Sequence, residues 1–86
     1  MTARSRPVAA AEAPPLLTLR EAAATLGVST LRLRALGHAG LIEAFRDNRG
    51  AWRVRLSDRT RAGLAHPVEP SAAAYAEEVA ALEAER

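Results

Sequence analysis

The most constraining stretch of this chain is Thr18 to Leu36, because it carries two helix starts and one helix stop within a few turns. Thr18-Leu19-Arg20-Glu21 has the form of a capping box, in which the Thr hydroxyl and the Glu carboxylate each satisfy a backbone N–H at the start of a helix. Gly27 follows eight residues of helical pattern, and Gly is the residue that ends a helix in the left-handed region at least cost. Ser29 then stands where a second helix needs a cap. The spacing predicts a first helix over 19–26, a turn of three residues, and a second helix over 30–39 ended by Gly40. Two short helices joined by a tight turn are the unit that presents a helix to a DNA groove.

At about 3.6 residues per turn the faces of these helices sort themselves. Leu19, Ala22, Ala23 and Leu26 share one side of the first helix and Leu33 and Leu36 one side of the second, which makes these the core sides. Thr30, Leu31, Arg34 and His38 lie on the other side of the second helix. There Arg34 is suited to fork onto guanine O6 and N7, and Thr30 or Leu31 to meet a thymine methyl. Arg32 at the flank, Arg20 on the first helix and Ser29 in the turn are expected to reach phosphates.

Beyond Gly40 the period changes to two. Trp52, Val54 and Leu56 alternate with Arg53 and Arg55, as in a strand with one buried face. Leu41 to Arg46 is expected to be its partner, and Asp47-Asn48-Arg49-Gly50 supplies a turn. Phe45 and Trp52 are expected to pair across this hairpin and seal the core. Arg46, Arg49, Arg53 and Arg55 are expected on its outer face and tip, where four guanidinium groups repel one another unless a polyanion lies alongside. The expected buried anchors are Leu19, Leu26, Leu33, Leu36, Leu41, Ile42, Phe45, Trp52, Val54 and Leu56.

Leu19-Arg20-Glu21-Ala22-Ala23-Ala24-Thr25-Leu26-Gly27-Val28-Ser29, then Leu33-Arg34, Gly40-Leu41-Ile42 and Arg49-Gly50-Ala51-Trp52-Arg53-Val54, resembles the MerR and excisionase-like winged-helix family in order and spacing. The resemblance covers about half of the 86 residues. It implies a mainly α winged helix-turn-helix with a small β-hairpin, double-stranded DNA as partner, and a role in transcription regulation. Ala35-Leu36 stands where a Tyr often follows the apolar-Arg pair in MerR proteins. Their long dimerisation helix and effector domain also have no counterpart. The smaller excisionase-like branch is the better match.

The remaining segments are read from composition and charge. Residues 1–17, with Pro14-Pro15 and no periodicity, are expected to be a disordered arm; its Arg4 and Arg6 are read as leader rather than as groove contacts. The domain spans 18–65, including a short third helix capped by Ser57 and running from Asp58 to about Ala65. Residues 66–70 form a Pro-containing linker, and Ser71 caps a last amphipathic helix over 72–86. Tyr75, Val79 and Leu82 repeat with Ala72 at three- and four-residue spacing, an a/d-like seam for self-association or the start of a coiled coil. The alternative is a helix that folds back over the domain. Residues 18–63 carry a net +5 and residues 64–86 a net −4, all basic side chains being Arg. A basic module with a separate acidic tail points to a polyanion partner.

With no Cys and only two His, neither a disulfide framework nor a structural zinc site is expected. No nucleophile–base pair or Gly-rich phosphate loop is visible, so catalysis, cofactor and small-molecule ligand are not expected. The expected location is cytoplasmic and nucleoid-associated, without a membrane. One such domain contacts only a few base pairs, so self-association on repeated sites or through the last helix is expected. The competing reading is a protein-interaction module whose working surface is the acidic C-terminal helix.

Overall fold

The computed structural model describes residues 14–85. Their elements in chain order are β1 (Leu16–Thr18), α1 (Leu19–Leu26), α2 (Thr30–Ala39), β2 (Ala44–Arg46), β3 (Trp52–Arg55), α3 (Asp58–Gly63) and α4 (Ala72–Ala84). The three strands form one antiparallel sheet of order β1-β3-β2.

Both helix starts of the opening stretch form as their side chains dictate. Thr18 Oγ1 accepts from Glu21 N at 3.1 Å while Glu21 Oε1 accepts from Thr18 N at 3.0 Å, closing the capping box. These hydrogen bonds hold the Glu21 carboxyl below its ordinary range. Gly27 takes φ 71° and returns its N–H to Ala23, and Ser29 Oγ accepts from Arg32 N at 3.0 Å to start α2. Leu19, Ala22 and Ala23 of α1, Leu33 and Leu36 of α2, and Ile42, Val54 and Leu56 make the buried core. Leu26, Leu41 and Trp52 pack at its edge, half-buried.

Several expectations are corrected here. Leu16 and Leu17, placed in the arm, form a strand with Thr18: Leu17 pairs with Val54, and Leu56 N donates to Pro15 O at 3.0 Å. Residues 1–13 of the expected arm lie outside the described residues. The hairpin's first strand is only Ala44–Arg46, and its register pairs Phe45 with Arg53 and Arg46 with Trp52. Phe45 therefore shares the outer face with Arg53 and is 43 % exposed, neither a core anchor nor the partner of Trp52. The same register turns Arg46 to the inner face, away from Arg53 and Arg55.

The third helix stops at Gly63, two residues short of expectation. Its Thr60, fully buried, fastens it to the sheet side: Oγ1 accepts from Glu43 N at 3.0 Å and donates to Arg55 O at 2.6 Å. The acidic segment is no separate tail. Helix α4 folds back and lies along α2, with Ala74 fully buried. Tyr75, Val79 and Leu82 are more than half exposed, so the apolar seam faces outward and the neighbouring Ala and Glu positions face the domain.

Candidate nucleic-acid interface

The face of α2 that the core leaves free holds Thr30, Arg34 and His38, one turn apart along the helix. The inner end of the hairpin adds two more groups. Trp52 packs its ring edge-on to His38, with centroids 5.4 Å apart, and the Arg46 guanidinium stacks over the Trp52 ring at 4.6 Å from its centroid. A cation above an indole face is attracted by the ring's electron density and held flat. Hydrogen-bond donors from two elements thus converge on one surface.

In this structure that surface already holds two carboxylates. Glu78 accepts from Thr30 Oγ1 at 2.6 Å and from Arg34 Nε at 2.9 Å. Glu77 accepts from Trp52 Nε1 at 3.1 Å and from Arg46, and lies 3.2 Å from His38 Nε2 and 3.6 Å from the Arg34 guanidinium. Burial works against ionisation of Glu77, but the hydrogen bonds from Trp52, His38 and Arg46 outweigh it and hold the carboxyl at about 2. Glu78 is lowered in the same way, with burial opposed by Thr30 and Arg34. The Arg34–Glu78 pair is largely shielded, with side chains 13 % and 17 % exposed, so water and salt screen it less than an ordinary surface pair and breaking it from one side leaves a poorly solvated charge.

The other expected contacts divide. Arg20 reaches Glu85 at the far end of α4, where both side chains are half exposed or more. Arg32 points away from Arg34 and donates to the carbonyls of Leu64 and His66 at 2.6 and 3.1 Å, tying α2 to the end of α3. Ser29 spends its hydroxyl on the helix cap, and Leu31 is half-buried beside the face. On the outer hairpin face Arg53 pairs with Asp47 at 3.0 Å, and Arg55 lies 3.8 Å from Glu43. The expected uncompensated strip of four arginines is therefore corrected, because three have carboxylate neighbours within the chain. Asp47 also accepts the backbone N–H groups of Ala51 and Arg49, which lower its carboxyl further and shape the turn. Among the described residues Arg49 alone of these four has no carboxylate partner.

Arg20, Arg34, Arg46 and Arg53 line an open cleft of about 270 Å³ between the start of α1, α2 and the hairpin. The roles of Trp52, Glu77 and Glu78 at this surface were missed from the sequence. The signal was present: Glu78 sits one position and Glu77 two positions off the apolar seam, so either face of the last helix was available for docking. Among the described residues no group of three or more His, Asp or Glu side chains converges as a metal site. No helix among them is long and apolar enough to cross a membrane. Comparison with family models, with curated proteins and with solved structures finds no match.

Proposed function

We propose that this chain is a sequence-specific double-stranded DNA-binding module of the winged helix-turn-helix type, similar to the MerR and excisionase-like domains, acting without catalysis. In this reading α2 enters the major groove with Arg34, the β2–β3 hairpin is the wing, and Arg20, Arg46 and Arg53 of the cleft follow the backbone. The observation that carries it is the convergence of Thr30, Arg34, His38 and Arg46 on a pair of carboxylates: the face already organises donors around anionic oxygen. Phosphate oxygens and guanine O6 and N7 ask for the same donors. Repressor, excisionase-like and plasmid or phage recognition roles share this chemistry, as does association with the nucleoid. The interaction-module reading, which uses the acidic C-terminal helix, has two of that helix's carboxylates, Glu77 and Glu78, turned inward.

The test is duplex binding measured by fluorescence anisotropy at several salt concentrations. About four phosphate contacts give a log–log slope of roughly −3 to −4. Arg49→Ala flattens it by ~1 on any sequence, because Arg49 pairs with no carboxylate among the described residues. Absence of salt-sensitive binding to any duplex refutes the DNA reading, and the interaction module then replaces it.

A further inference from the structure

We propose that α4 is an intramolecular lid on the α2 face, and that Glu77 and Glu78 hold it shut by standing in for the oxygens of DNA. The inference rests on the DNA reading above and adds a closed, DNA-excluding state to it.

Three observations carry it. The first is identity of position: Thr30 and Arg34, groups of α2 suited to base edges, and His38 beside them are those that α4 engages. A duplex and α4 cannot occupy this face together, since the helix backbone lies where the groove must sit. The second is the character of the attachment. Apart from the fully buried Ala74, the hydrophobic core and the apolar residues packed at its edge include no residue of α4. The lid is held by charge-assisted hydrogen bonds and by Ala74, so it can leave without opening the core. The third is the hinge. Residues 66–70 link α3 to α4 outside any regular element; Arg32 holds the His66 carbonyl and Val68 packs on the core, which leaves Glu69 and Pro70 as the pivot.

Two states follow. Closed, α4 satisfies Arg34, Arg46 and the Trp52 N–H. Open, those donors face solvent and are available to a duplex. Apparent affinity for DNA is then the intrinsic affinity multiplied by the open fraction. Of the cleft's four arginines, Arg34 and Arg46 are held by α4 while the lid is shut, and Arg20 and Arg53 lie outside the Glu77 and Glu78 contacts.

The experiment uses the full chain and a mixed-sequence duplex. Glu77→Gln/Glu78→Gln removes the two anchoring charges. Ala74→Leu leaves net charge unchanged and forces bulk under the first turn of α4. Glu69→Gln/Glu83→Gln, at exposed positions, matches the charge change of the first variant without touching the α2 face. Trp52, the sole tryptophan, reports the lid through its hydrogen bond to Glu77.

The first two variants are expected to bind at least ~10-fold tighter than the parent at equal salt, and the control within ~3-fold. DNA added to the parent is expected to move Trp52 emission toward that of Ala74→Leu. If both lid variants bind no tighter than a parent that itself binds DNA, the lid is overturned and the DNA reading stands. If the control gains as much as Glu77→Gln/Glu78→Gln while Ala74→Leu gains nothing, the effect is charge alone and the lid is again overturned. If no variant binds any duplex although Trp52 emission shows α4 released, the DNA reading has failed and the guard falls with it.

Discussion

Acidification is expected to release α4 through Glu77, and the size of the effect follows from the contacts. The carboxyl is held at about 2 against an ordinary 4.5 by Trp52, His38 and Arg46, in spite of its burial. That difference favours the docked state by at most about 3 kcal/mol at neutral pH. It is an upper bound, since the side chain keeps 26 % exposure and water screens its pairs. The released helix takes up a proton near pH 4.5, and the docked helix only near 2. The stabilisation is therefore complete above about pH 4.5 and disappears as pH falls towards 2; Glu78, lowered too, adds in the same direction. The assay is urea unfolding followed by Trp52 emission at a series of pH values, for the parent and for Glu77→Gln. The parent's advantage is expected to be largest at neutral pH and to close towards pH 2. An advantage of constant size across that range would show that the carboxylate is not held by these donors.

Two further outcomes concern the fold. Thr60→Val keeps the shape of a fully buried side chain but leaves Glu43 N without its acceptor, at a cost of about 1–3 kcal/mol. Urea midpoints check it, and a Val variant as stable as the parent refutes the role given to the hydroxyl. Gly63→Ala is expected to destabilise by ~1–3 kcal/mol despite a gain in helix propensity of up to ~1 kcal/mol. A Cβ there would collide with the Leu41 carbonyl and meet Ile42 Cγ2 at 2.8 Å; an unchanged melting temperature would show that α3 shifts freely.

The helix boundaries of α1 and α2 were legible because they rest on local chemistry: Thr18 with Glu21, Gly27, Ser29 and Gly40 each act within a few residues. The buried positions of β3 were legible from alternation. What escaped depended on distant partners. Leu16–Thr18 is too short to show a period and is a strand only because Val54 lies beside it. Phe45 is apolar like a core residue, yet the register of a three-residue strand decides its face, and one step of register reverses it. Helix α4 offers an apolar side and an Ala/Glu side. Its docking was settled by the donors gathered on α2, Trp52 and Arg46, which no single segment reveals. The basic and acidic halves were visible as net charges, but not that they meet each other.

The order β1-β3-β2 sets a schedule for folding. The central strand is the last of the three along the chain, so β1 has no strand to join until Trp52–Arg55 has been made. On a ribosome, α1 and α2 can close their caps early, while the strand that leads directly into α1 waits for its neighbour. A nascent chain halted before Trp52 would hold both helices and an unmatched edge, the kind of edge on which chains join wrongly. Completion of β3 is thus the step that turns a pair of local helices into a committed domain.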